Sequence, residues 1–233
     1  MAGPGWKAVR EFANGDELAA ALAAYVAAAL KARLAKDGVA TLALSGGTTP
    51  IKFFQQLALQ DLNWRNITVT LVDDRWVAEH SPRSNAGLIR EHLLQGPAAA
   101  ARFIPLVTGH VTPEEGRDHA EQTIAALHLP FAAVVLGMGD DGHTASFFPQ
   151  GDRLDAAVTP DFTHHVETMR AEAAGEPRVT LTLPSLMAAD VVALHIEGQD
   201  KRRVLEAAMQ PGPVQNMPVR AVLPHKPDIF WCP

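Results

Sequence analysis

Cysteine is nearly missing from this chain. The one thiol, Cys232, sits a residue from the end, so a disulfide within the chain is excluded, and a terminus that frays is a poor place for a nucleophile. Long apolar runs are missing too. The longest uncharged apolar run, residues 18–30, is mostly alanine and falls short of the roughly 20 residues that cross a bilayer. No basic segment followed by a hydrophobic core opens the chain, so no secretory signal is expected. Basic runs are lacking as well. With 26 acidic and 20 basic residues the net charge is −6, which argues against nucleic acid or an anionic membrane as a partner. A small anionic ligand is still allowed, because local arginines and helix N-termini outweigh a modest global charge. No proline- or serine-rich linker, solenoid repeat or low-complexity tract beyond alanine divides the chain. Residues 1–233 are therefore expected to form a single domain with a large core, in a soluble cytoplasmic protein.

What is present is organised around residues 132–149. Residues 132–136 are wholly apolar and stop at glycine, as a central parallel strand does when helices cover both faces. Gly137, Gly139 and Gly142 then alternate with Asp140, Asp141 and His143. Ionisable groups in a glycine-rich turn past a strand's C-terminus lie where open α/β sheets bind ligands. Thr144 or Ser146 is expected to cap a helix turn there. A solvated loop histidine has the same local sequence as a catalytic one, so His143 alone decides nothing.

Two other stretches repeat the pattern. Residues 39–44 read as a buried strand running into Ser45, Gly46, Gly47, Thr48, Thr49 and Pro50. Strand, glycine-hydroxyl loop and a proline at the first helical position make either a phosphate cradle or a plain tight turn. The loop matches no nucleotide-binding signature. Residues 67–72 form a third strand ending in Asp73, Asp74 and Arg75. Arg75 either grips an oxyanion or phosphate or pairs with its acidic neighbours for structure alone.

The remaining pattern alternates strand and helix. A strand over 6–12 precedes a capping box at Asn14 and Glu17 and a helix to about Lys36. Ser84 caps a helix through Leu94 with Gly96 as its stop, and Thr112 opens another to about Leu127. Further strands are expected at 162–169, at 178–183 (half-buried by its alternation), at 191–196, and in short form at 219–223 and 229–231. The whole reads as α/β, with a mostly parallel sheet flanked by helices.

With these residues in view, the chain resembles the 6-phosphogluconolactonases. The likeness is carried by Leu-Ser-Gly-Gly-Thr-Thr-Pro at 44–50, Val-Asp-Asp-Arg-Trp-Val at 72–77, Ser84-Asn85, Gly-Met-Gly-Asp-Asp-Gly-His-Thr-Ala-Ser-Phe-Phe-Pro at 137–149, Arg-Val-Thr-Leu-Thr at 178–182 and Gly198-x-x-Lys201. It implies a Rossmann-like fold similar to that of the sugar-phosphate isomerases and deaminases, and metal- and cofactor-free hydrolysis of 6-phospho-D-glucono-1,5-lactone. It assigns His143 as general base with Asp141 beside it, and Arg75 to the oxyanion or the phosphate. Ser45, Gly46, Gly47 and Thr48 become the phosphate loop, with Asp73, Arg178 and Lys201 as further substrate contacts. Asp74 departs from the family, where glutamate is usual. The deaminases of the same fold read Asn and Glu where this chain has Phe147 and Phe148. A sugar-phosphate sensor without chemistry would not need His143. A metal hydrolase built on Asp140, Asp141 and His143 lacks a second ligand cluster, His164 and His165 being its one candidate. The other histidines, His195 among them, are expected to be solvated or structural. Oligomeric state is not legible.

Overall fold

The computed structural model describes residues 7–161 and 163–233. Trp6 and Phe162, the first residues of two expected strands, lie outside them. Elements follow in the order β1 (Val9–Glu11), α1 (Gly15–Asp37), β2 (Ala40–Leu44), α2 (Ile51–Ala58), β3 (Ile67–Leu71), β4 (Asp73–Arg75), α3 (Asn85–His92) and β5 (Arg102–Ile104). The chain continues through α4 (Pro113–Ala125), β6 (Ala133–Leu136), α5 (Leu154–Val158), β7 (Val166–Met169), β8 (Arg178–Leu181), α6 (Leu183–Met187), β9 (Val191–Glu197), α7 (Gln199–Ala208) and β10 (Asp228–Cys232).

Seven strands form one parallel sheet in the order β1-β10-β9-β6-β2-β3-β5. The residues of β2 and β6 are buried throughout, which is why their sequences are continuous apolar runs rather than alternating ones. Helix α1 shows how local sequence sets the frame. Asn14 Oδ1 accepts from the backbone N–H groups of Asp16 and Glu17, each at 3.0 Å, and Gly38 closes the helix in the left-handed region at φ 77°. The turn-to-turn series Leu18, Leu22, Val26 and Leu30 is fully buried. By length and mean hydropathy α1 is apolar enough to cross a membrane, but here its leucine face is closed against the sheet and α2. Replacing Leu30 by alanine would cost about 2–5 kcal/mol through the cavity left behind.

A second, antiparallel sheet, β4-β8-β7, stands beside the first. It changes several expectations. Residues 73–75 form a strand, which puts Arg75 opposite Arg178 in register. All of β8 is buried, although its sequence alternates, because Thr180 and the arginine find partners inside the protein. Residues 144–147 form no helix; Thr144 Oγ1 donates to Gly137 O at 2.7 Å and Ser146 Oγ to Asp73 at 2.6 Å. Residues 218–221 are a 3₁₀ turn rather than a strand. Helix α3 ends at His92 with Leu93 as its C-cap, and Gly96 begins a separate 3₁₀ turn. Pro50 is the N-cap of α2, one position before the helix proper. Cys232 lies inside β10, where burial pushes its thiol up to about 11, so it is an inert core residue.

Candidate active site

The site is built over the C-terminal ends of β9, β6 and β2, roofed by the small sheet. The loop after β2 is stitched to the loop after β6, since Ser45 Oγ accepts from Gly137 N–H at 3.0 Å. Gly46 is required by a close approach: a Cβ there would sit 1.9 Å from Asn85 Oδ1. Asn85, the first residue of α3, in turn ties the loops together. Its Oδ1 accepts from Arg75 Nη1 at 2.6 Å, and its Nδ2 donates to Asp73 O at 2.9 Å.

Arg75 is not held by its acidic neighbours. Its guanidinium donates to Asn85 and to Arg83 O, while its Nε is buried without a partner. Asp74 has a different task. Its carboxylate accepts from the backbone N–H groups of Arg75, Asn85 and Ala86 at 2.7–3.0 Å, fixing the start of α3 and so the Asn85 that aims Arg75. Burial pushes the Asp74 carboxyl up to about 6, against the pull of those N–H donors. Asp73 accepts from Ser146 Oγ and lies 3.9 Å from Arg178 Nη1. Arg178 is buried, donates to Ala174 O and stacks its guanidinium over Phe148 at 5.1 Å. Burial holds it below the usual arginine range.

Phe148 carries His143 on its ring, with centroids 4.3 Å apart. His143 Nδ1 lies 2.6 Å from Asp141 Oδ1, and the His143 backbone N–H donates to the same oxygen at 3.0 Å. Burial pushes the Asp141 carboxyl up, but these two hydrogen bonds outweigh it and leave it below the usual carboxylate range. A carboxylate at Nδ1 selects the tautomer whose proton sits there and leaves Nε2 able to accept one. Gly139 allows this turn, because a Cβ on it would collide with His143 Nδ1 at 2.1 Å. Asp140 turns outward to Lys201 Nζ at 2.9 Å. Among the described residues no cluster of three or more His, Cys, Asp or Glu side chains is placed to hold a metal ion.

A cavity of about 250 Å³ opens between these groups. Every expected contact residue borders it except Asp141, which stands behind His143. His195 and Glu197 border it too, so His195, expected to be solvated or structural, stands at the site. Its one signal was a polar residue inside an otherwise apolar strand. Asn85 was legible as part of a helix start, but its grip on Arg75 depends on a ten-residue excursion of the chain.

The model of the family described as glucosamine-6-phosphate isomerases/6-phosphogluconolactonase matches residues 13–231. The chain belongs to this family. It is 46% identical over 225 residues to a 6-phosphogluconolactonase of Mesorhizobium japonicum, covering 95% of this chain and 94% of that one. A Rhizobium meliloti protein of the same name is 47% identical over 225 residues, covering 95% and 97%. The crystal structure of a 6-phosphogluconolactonase from Shewanella baltica superposes with a TM-score of 0.94 at 36% identity, covering 97% of this chain and 98% of that one. Within this family fold, the deaminases' Asn and Glu positions are filled by buried Phe147 and Phe148.

Proposed function

We propose that the chain hydrolyses 6-phospho-D-glucono-1,5-lactone to 6-phosphogluconate, with His143 as general base. Water, deprotonated by His143 Nε2, adds to the lactone carbonyl carbon. The carbonyl oxygen takes up the negative charge, and the tetrahedral intermediate collapses by breaking the bond to the ring oxygen. That oxygen receives the proton back from the imidazolium, and the new acid ionises. Asp141 keeps the ring oriented and stabilises the imidazolium, a contribution that general-base catalysis sets at roughly 10²–10⁴-fold together with the base itself. Arg75 and Arg178 supply fixed positive charge for the developing oxyanion and the phosphate. Ser45, Gly46, Gly47 and Thr48 hold the phosphate, with Lys201 released from Asp140 to join them, and Asp73 anchors Arg178.

One observation carries this reading: a histidine with a carboxylate on Nδ1 at the edge of a cavity that also holds a glycine-hydroxyl loop and two arginines. Deamination is disfavoured because apolar side chains, the buried Phe147 and the Phe148 stacked on His143, stand where the deaminases read Asn and Glu, so that ring opening loses a polar catalytic group. The test is an assay that generates the lactone in situ and subtracts its spontaneous hydrolysis. The phosphorylated lactone should be turned over with a far higher kcat/KM than the unphosphorylated one. Equal values for the two would remove the phosphate loop from the account.

A further inference from the structure

We infer that Glu197, held by His195, is the residue that reads the sugar hydroxyls of the lactone; the inference rests on the proposed function. The lactone presents three kinds of group to a protein. Its phosphate and its carbonyl want donors and positive charge, which Arg75, Arg178, Lys201 and the loop amides supply. Its ring hydroxyls are donors as well as acceptors, and the cations cannot accept from them, whereas a carboxylate accepts strongly.

Two carboxylates border the cavity, Asp73 and Glu197. Asp73 is already engaged: its Oδ2 accepts from Ser146 Oγ at 2.6 Å and lies beside Arg178, and the residue is buried. Glu197 is different. Its side chain is 29% exposed, and one oxygen only, Oε1, has a partner, the Nε2 of His195 at 2.9 Å. His195 is 2% exposed and packs edge-on against Phe53 of α2, so the imidazole is a rigid donor that cannot swing away. The carboxylate selects the tautomer with its proton on Nε2. This leaves Oε2 of Glu197 without a hydrogen bond, on the side of Gly15 and within electrostatic reach of Lys52, in a residue that ends β9 and borders the cavity together with Thr49 and Pro50. A negative charge there also rejects a phosphate, so the phosphate is confined to the cationic side and the substrate enters in one sense. Glu197 is the specificity-determining residue and His195 its positioning residue.

The test compares the parent lactone with its 2-, 3- and 4-monodeoxy counterparts, each generated in situ from the corresponding sugar 6-phosphate. For the wild type, at least one deoxy lactone should show a kcat/KM lower by about tenfold or more, the loss of a hydrogen bond to a charged acceptor. In Glu197→Gln the parent should fall by a similar factor while that deoxy lactone stays unchanged, so the discrimination disappears. His195→Leu should reproduce the loss, mainly in KM, and His195→Gln, which keeps a donor at similar reach, should restore most of it. A Glu197→Gln variant that loses equally on all four lactones, or on none, would overturn the inference while leaving the proposed function standing. A wild type that hydrolyses none of them would overturn both.

Discussion

The two ends of strands β2, β6 and β9 carry nearly the same residue types and do different things. At their N-terminal ends Arg33, Asp37, His128 and Asp190 meet. Arg33 donates from Nε and Nη2 to Asp190 and from Nη1 to Pro130 O, and His128 Nε2 lies 3.1 Å from Asp37. At the C-terminal ends His143 lies 2.6 Å from Asp141, with Arg75 and Arg178 alongside. Each end thus has arginine, aspartate and a histidine–aspartate contact. The difference is in what remains unbonded. Every nitrogen of Arg33 has an acceptor, whereas Arg75 and Arg178 each keep a buried Nε without one, and the histidine there faces a cavity. A polar cluster that satisfies itself holds the fold, and one left incomplete beside a cavity is available to a ligand.

This comparison can be broken at several points. After loss of the base itself, the largest effect is expected from Asp141→Asn, which leaves the imidazolium without its negative partner. Steady-state kinetics should show kcat lower by roughly 10²-fold or more, while Asp37→Asn at the other end leaves kcat within twofold. Equal losses would erase the distinction between the ends.

Asp74 is a self-satisfied group close to the site, so its role should appear in stability. Its folded carboxyl titrates at about 6, above the unfolded value of about 3.9. The folded state therefore holds the proton more tightly. Its contribution is fully present below pH 4 and is lost as pH rises through 6, a difference of about 3 kcal/mol. In urea unfolding between pH 4 and 7, the stability of Asp74→Asn relative to the wild type should rise with pH over this window. A pH-independent difference would show that Asp74 is not perturbed by its burial.

Arg33, 4% exposed in its side chain, should behave as a structural residue. Arg33→Leu leaves the Asp190 carboxylate and the Pro130 carbonyl without their donor, at a cost of about 2 kcal/mol in denaturant unfolding, with kcat/KM unchanged. A catalytic loss without a stability loss would reverse the assignment. The smallest effect is expected from Thr48→Ala. The loop grips a phosphate remote from the reacting carbon, so KM should rise about tenfold with little change in kcat. A fall in kcat at constant KM would place Thr48 at the reacting centre instead.

The three strand-end loops were legible in the sequence because buried parallel strands stop abruptly at glycine, hydroxyl and charge. The capping box at Asn14 was legible because it is local. What failed depended on distant partners. Thr144 and Ser146 read as helix caps, yet their hydroxyls serve Gly137 and Asp73, the second of these 73 positions away in the chain. The alternation in β8 reads as one wet face, but all four of its residues are buried, and Thr180 finds partners on neighbouring segments. Residues 219–223 have the composition of a strand, but no strand edge is offered to them, and Val219 N–H donates to Gly142 O instead. The substitution at Asp74 was visible, and its consequence was not, because the carboxylate addresses the backbone of α3 rather than Arg75.

A difference in function separates the two histidine–aspartate contacts, although each sets an imidazole nitrogen against an aspartate oxygen. Its most direct test is kcat for His143→Ala and His128→Ala in one assay, with the spontaneous hydrolysis of the lactone subtracted. The account predicts a loss of roughly 10²–10⁴-fold for His143→Ala with a smaller change in KM, and wild-type kcat for His128→Ala. A His143→Ala protein that keeps near wild-type kcat would contradict it.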